Sequence, residues 1–259
     1  MRIHRIKEIS EFEPFRQEWE KILDSNATNS VFLSPNFICE WYKYFCDKTS
    51  MYLLQVKSND GLLIGIAPLY LHSESILSVK RKNLRFAGSN YICAEYLDVI
   101  IRSGFERQAI LTIIDYLDQH KNDWDNLCLT DLTEHSNVLK NIDLFRKLGN
   151  IEKQKTRSCL YVSLPKTWEE FQKKLNTKFR KRINYYERRI GREHDVEFGM
   201  FNDIEEGMNN LFQLHSARWA EKGILGAFTG SITKRFNMAI ANILHENDIL
   251  RLYFFKTCL

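Results

Sequence analysis

Nine basic residues and a single acid, Glu187, lie between Lys173 and Arg192. That window carries +8 in a chain whose formal net charge is +4, so the remainder stands at −4. An anionic partner would therefore be met by one segment and not by the whole surface. The chemistry such a segment offers is phosphate binding, whether of a nucleotide, a nucleotide-linked sugar or a nucleic acid. The plainer reading is a solvated helix face. Phe171 and Phe179 fall on the apolar stripe of the same segment, which predicts that they point inward and offer bases no stacking platform. Lys178, Arg180, Lys181 and Arg182 fan around the helix. A solvated face is thus the first reading, a small-molecule phosphate site the second, and nucleic acid the last. Arg180 is the candidate phosphate or substrate contact. Arg218 is the second candidate, with a plain salt bridge as the equal alternative.

A second constellation is Glu95, Tyr96 and Asp98. Strand alternation predicts Tyr96 and Asp98 on one face near the sheet centre. Asp98 is the candidate catalytic carboxylate, a partly shielded base able to take a proton from an attacking amine. Its alternative is a structural hydrogen bond to a nearby loop. The seven histidines are scattered. His215 lies one turn from Leu211 and Trp219, which predicts a core or rim histidine beside a buried tryptophan. There is no G-x-G-x-x-G, G-x-x-x-x-G-K-[ST], H-E-x-x-H or G-x-S-x-G, so dinucleotide, P-loop, zincin and serine-hydrolase chemistries lack their simplest signals. No metal site is expected.

The elements that must position these residues are legible in the first half of the chain. Arg2–Ile6 reads as a strand, Phe12–Leu23 as a helix, and Ser34-Pro35 as the N-cap and first position of a second helix. On that helix Ile38, Trp41, Tyr42 and Phe45 share a face. Met51–Lys57 and Leu62–Leu71 read as strands around Ser58-Asn59-Asp60-Gly61. Leu84–Ala87 and Tyr96–Ile101 read as strands, Phe105–Lys121 as a helix, Leu127–Leu132 as a strand, Ser136–Leu148 as a helix and Cys159–Leu164 as a strand. Crossover helices in this order imply some parallel pairing.

A second unit opens with the capping box Thr167-Trp-Glu-Glu170. One long helix follows, with Phe171, Leu175, Phe179, Ile183, Tyr186 and Ile190 along it. A strand at Val196–Phe201, helices at Ile204–Lys222 and Ile232–Glu246 and a strand at Ile249–Phe255 complete the chain. The predicted division is 1–155 and 156–259.

Composition bounds the class. The chain has 259 residues, 44% hydrophobic and 27% charged, enough for a sizeable core. Four prolines and 11 glycines argue against disorder and low complexity. No apolar run approaches the roughly 20 residues of a membrane span, and the start is too polar for a secretory signal. Cys39, Cys46, Cys93, Cys128, Cys159 and Cys258 never approach C-x-x-C spacing and read as reduced core thiols, which points to the cytoplasm.

The ordered series of motifs resembles a family. It includes Trp19, Phe32-x-Ser34-Pro35 with Trp41, Leu63-Ile-Gly-Ile-Ala-Pro-Leu-Tyr70, Leu84-Arg-Phe-Ala-Gly88 and Glu95-Tyr-Leu-Asp98. Further along come Leu164-Pro165-x-Thr-Trp-Glu-Glu-Phe171, Lys178-Phe-Arg180, Leu214-His-x-x-Arg218-Trp219, Gly223, Phe228 and Leu250-Arg-Leu-Tyr253. The series is similar to the CelD/BioF-like acetyltransferases of the GNAT superfamily, which share a tandem architecture with the FemAB peptidyltransferases. The resemblance implies an α/β fold, GNAT-like (acyl-CoA N-acyltransferase), with a mixed sheet and flanking helices. It implies one complete domain followed by a C-terminally incomplete second one, because the chain stops before the pyrophosphate turn expected after the last strand.

The implied activity is N-acetyl transfer from acetyl-CoA to an amine, on a small-molecule or nucleotide-linked substrate such as a nucleotide sugar or a polysaccharide precursor. An inactive truncated form, a FemAB-like aminoacyl transferase and a non-catalytic binding module stand as alternatives. One departure bears on the cofactor. Where the family carries a Q/R-x-x-G-x-G/A turn, the first unit reads Ile101-Arg-Ser-Gly104-Phe-Glu106, and a glutamate at a helix start repels an anion.

Overall fold

A computed structural model describes residues 1–25, 29–47, 50–76, 78–89, 92, 94–155 and 158–258. The chain begins with β1 (Arg2–Ile6), then a 3₁₀ turn over Ile9–Phe15 that runs into α1 (Arg16–Asp24). The predicted helix from Phe12 thus starts as 3₁₀ around Pro14. α2 (Pro35–Phe45) opens as its sequence dictates: the Ser34 hydroxyl accepts the Phe37 N–H at 3.2 Å, and Pro35 occupies the first turn. β2 (Met51–Lys57), β3 (Leu63–Ile76) and β4 (Val79–Phe86) form an antiparallel meander. The first hairpin falls at the predicted turn, where Gly61 takes a positive φ of 94°. β4 is longer than predicted, because its exposed first half is too basic to read as a strand.

β5 is only Ile100–Ile101 and pairs with β3 at Ile66 and Gly65. Gly65 permits this approach, since a Cβ there would lie 3.0 Å from the Ile100 carbonyl oxygen. α3 (Glu106–Gln119) crosses to β6 (Asn126–Cys128), which runs parallel to β4. The result is a mixed sheet of six strands, ordered β1-β2-β3-β4-β6 with β5 on β3. Six consecutive residues of β2 are buried, so helices cover both faces. α1 brings Trp19, Ile22 and Leu23 to that core, α2 brings Ile38, Trp41 and Tyr42, and α3 brings Ile110, Ile113 and Ile114. Two polar tips are satisfied inside: Trp19 Nε1 donates to the Leu33 carbonyl at 3.0 Å, and the Tyr42 hydroxyl donates to the Leu69 carbonyl. After β6 come the single turn α4 (Asn137–Lys140) and a 3₁₀ segment over Ile142–Lys147, in place of one continuous helix.

The remainder is built differently. Cys159–Leu164 forms no strand; Leu160, Tyr161, Val162 and Leu164 lie exposed. The long predicted helix breaks at Leu175 into α5 (Trp168–Lys174) and α6 (Thr177–Glu193), because Asn176 turns extended and its side chain caps Phe179 N–H at 2.8 Å. No described residue between 142 and 203 is buried. β7 (Asp195–Met200) pairs antiparallel with β8 (Tyr253–Cys258), which begins later than predicted. Phe198, Met200, Tyr253 and Phe255 line one exposed face of this two-stranded sheet.

α7 (Ile204–Ala220) buries Ile204, Met208 and Phe212, not the predicted Leu211–Trp219 stripe, and Trp219 is half-buried beside Lys222. α8 (Ser231–Glu246) joins the two cores. Its Ala241 packs with the α7 residues, while Phe236 sits in a ring cage of Phe37, Phe45 and Tyr44 at 5.5, 5.2 and 6.0 Å. The thiols spread from buried Cys39 through half-buried Cys46 and Cys128 to exposed Cys159, so Cys159 is not the core thiol predicted. Cys93 and the Cys258 side chain lie outside the described residues. Among the described residues no helix is long and apolar enough to cross a membrane.

Candidate functional site

α2 turns Ile38, Trp41 and Tyr42 to the core, and this leaves Asn36 and Glu40 toward its outer edge. There α1 supplies Arg16 and Glu20, and the last turn of α8 supplies Ile243 and Glu246. With Cys39 and Asn247 they line a cleft of about 360 Å³. Arg16 is already neutralised: its guanidinium donates to Glu13 at 3.0 and 2.7 Å and to Asn36, and Glu40 pairs with Lys43 one turn on. The Glu13 bond keeps Arg16 protonated and holds the Glu13 carboxyl below its usual range. Glu20 and Glu246 have no hydrogen bond or ion pair among the described residues, and although Glu20 lies within the electrostatic reach of Arg16, the lining holds more carboxylates than cations. Burial pushes the Cys39 thiol up, which keeps it protonated and a poor nucleophile. The arrangement suits a cationic guest, and a carboxylate beside a bound ammonium can take its proton.

The sequence-predicted residues lie elsewhere. Asp98 is fully buried, and its carboxylate accepts the backbone N–H groups of Asn137 at 2.6 Å and Val138 at 3.2 Å. Asn137 answers by donating its side-chain amide to the Val99 carbonyl at 2.8 Å. Asp98 thus ties the approach to β5 to the first turn of α4. Tyr96 does not share its face: a left-handed φ of 58° breaks the alternation and leaves Tyr96 exposed. Arg180 is half-buried on α6 and Arg218 exposed on α7. Neither makes a side-chain hydrogen bond or ion pair among the described residues, so the salt bridge weighed for Arg218 is not formed there. Glu20 and Glu246 carried no sequence signal, because exposed helix glutamates are commonplace and only the packing of α8 on α2, which itself packs on α1, brings them to one cleft.

Other groups bear on cofactor binding. Glu106 opens α3 and accepts the Gly104 N–H at 3.1 Å, so a carboxylate fills the helix start where a pyrophosphate would sit; that end does not fit acyl-CoA. α8 instead begins at Gly230 with no capping side chain and no acid in its first turn, which leaves N–H groups available to a phosphate. His215 rests against Phe228 and Trp219, with Gly226 packed so closely that a Cβ there would stand 2.6 Å from its Nδ1. The ring is walled in rather than poised over a cleft. Among the described residues no cluster could hold a metal ion.

Comparison with known proteins agrees with this architecture. Residues 177–257 match the family model of an acetyltransferase (GNAT) domain. The fold of 99% of the chain is similar to that of FemX, at 15% identity and a TM-score of 0.59, and the chain spans 58% of the FemX chain. An aminoglycoside acetyltransferase from an uncultured soil metagenomic sample aligns with 62% of this chain and 97% of its own, at 12% identity and a TM-score of 0.41, too loose to build on. Among curated proteins, none matches.

Proposed function

We propose that the protein transfers an acyl group from an acyl-CoA thioester to a primary amine held in the carboxylate-lined cleft between α1, α2 and α8. The observation that carries this reading is the acetyltransferase (GNAT) match over residues 177–257, which contains α8 and Glu246. In this reading the acceptor ammonium lies between Glu20 and Glu246, and one of them takes its proton as the amine attacks. The first-turn N–H groups of α8, with Lys234, hold the donor phosphates; the bound thioester supplies the acyl group. Arg180 and Arg218 lie outside the cleft; in this reading they contact an anionic part of the acceptor that extends beyond it, as in a nucleotide-linked amine or a polysaccharide precursor of the CelD/BioF-like kind. The chain divides for this purpose into units 1–155 and 156–259. A FemAB-like aminoacyl transfer is the second reading, favoured by the exposed basic side of α6 and by the similarity of the fold to FemX.

Asp98 is a structural acid in this proposal. Asp98→Asn removes a charge-assisted acceptor from two buried N–H groups and is expected to cost about 2–3 kcal/mol of stability. Unchanged stability with lost turnover would give Asp98 a catalytic role instead. The direct test is a thermal melt with acetyl-CoA, followed by thiol release with a panel of amines. Ligand at about 100 times its Kd adds about 2.7 kcal/mol of native-state stability. Glu246→Gln and Glu20→Gln are expected to keep that shift and lose turnover. No shift and no thiol release in a cooperatively melting protein would overturn the reading.

A further inference from the structure

Among the described residues, α6 is the one long helix with no buried residue. Its cations have a register that local spacing hides. Lys178, Lys181, Arg182, Arg188, Arg189 and Arg192 follow a three- and four-residue spacing that Tyr185 completes. At about 100° per residue they fall within about a third of the helix circumference, over a length of about 21 Å. All six are exposed. Arg189 alone of them meets a carboxylate among the described residues, Glu193 at 2.8 Å. Tyr185 lies in the middle of this stripe and is exposed as well. Arg180 is off it, on the flank.

The opposite side carries Phe179, Ile183, Tyr186 and Ile190, and the fold does not bury it: Phe179 is 43% exposed and Tyr186 56%. Arg182 stands at the border, its guanidinium 5.6 Å from the Phe179 ring centre. A helix with a dense cationic face, an uncovered aromatic–aliphatic face and arginine at the seam has the features of a segment lying in a lipid–water interface.

We propose that α6 docks the protein on the surface of an anionic phospholipid bilayer. Its cations meet headgroup phosphates, and Phe179 and Tyr186 enter the boundary between headgroups and acyl chains. This inference is independent of the acyl-transfer reading. Charge complementarity alone would also admit RNA. RNA would engage the same cations and Tyr185 but leave the uncovered apolar side without a partner, and a convex helix provides no groove for a strand to follow. The bilayer interface uses both sides.

The test is flotation of the full chain with phosphatidylglycerol–phosphatidylcholine vesicles and with pure phosphatidylcholine vesicles, alongside titration of an RNA hairpin. Binding is expected only where phosphatidylglycerol is present, with release near 1 M salt, where the Debye length falls to about 3 Å. Replacing Lys181, Arg188 and Arg192 together by glutamine is expected to weaken vesicle binding about a hundredfold. Phe179→Ser with Tyr186→Ser is expected to weaken vesicle binding and leave any RNA binding unchanged. All these positions are on the surface, and a cooperative melt checks that each variant folds. The proposal fails if folded wild type ignores phosphatidylglycerol or if the glutamine variant binds vesicles as well as wild type. It fails equally, in favour of RNA, if the serine variant keeps full vesicle affinity while the hairpin binds more tightly than vesicles.

Discussion

The six-stranded sheet and the α5–α6 pair are both rich in aromatic residues, yet they spend them in opposite ways. Around the sheet, Phe12, Trp19, Trp41, Tyr42 and Tyr52 are almost wholly withdrawn from water. They contact one another, as in the parallel stack of Phe15 on Trp19, whose ring centres are 6.0 Å apart. In α5 and α6, Trp168, Phe179, Tyr185 and Tyr186 remain 43–56% exposed. The same side chains therefore contribute cohesion in one region and contact surface in the other. Residue type alone does not decide which; the presence of a second layer does.

Substitutions can break or sharpen that contrast. The largest effect is expected at Trp19: Trp19→Ala should cost about 4–5 kcal/mol, whereas Trp168→Ala should stay within about 0.5 kcal/mol. Chemical denaturation of the two variants checks this, and equal losses would mean that α5 is packed more firmly than its exposure indicates. Phe236→Ala comes next, at about 3 kcal/mol. Its loss should appear in the unfolding of the sheet, although the residue belongs to α8. A loss confined to the α7–α8 cluster would show that the cage around Phe236 does not couple the two cores.

The smallest effect is one of pH. Burial pushes the Cys46 thiol from 9.0 up to about 11 and raises the Tyr42 and Tyr52 hydroxyls. The folded state keeps protons that the unfolded chain surrenders, so stability is full below about pH 9 and declines as pH rises toward 11. Melts followed by sheet circular dichroism should show that decline. A flat profile would mean these groups are reached by water.

Much of the sheet region could be read directly from the chain. Ser34-Pro35 fixed a helix start by local hydrogen bonding, and Asp60-Gly61 fixed a hairpin by backbone freedom; both causes act within a few residues. Tyr96 escaped because nothing local announces a left-handed tyrosine, and the strand expected over Tyr96–Ile101 shrank to two residues. Periodicity in α6 did identify an apolar side, but the inference that it points inward required a partner layer that periodicity does not contain. The basic stripe is likewise present in the spacing, but the run Lys178–Arg182 fans around the helix and only the register of all seventeen residues gathers the cations on one side. Asp98 reads in the sequence as a carboxylate in need of a partner, and its partners, 39 and 40 residues away, are set by topology. The Glu20–Glu246 cleft was out of reach for the same reason.

The position of Phe236 also has a meaning in time. A ribosome delivers the six strands and their helices well before it delivers this ring, which follows Leu148 by roughly 90 residues, a delay of about 4–18 s at about 5–20 residues per second. Through that interval Phe37, Tyr44 and Phe45 lack the aromatic that fills the space between them. The nascent sheet would be looser and stickier than the finished one, and it would close only when the far end of the chain arrives.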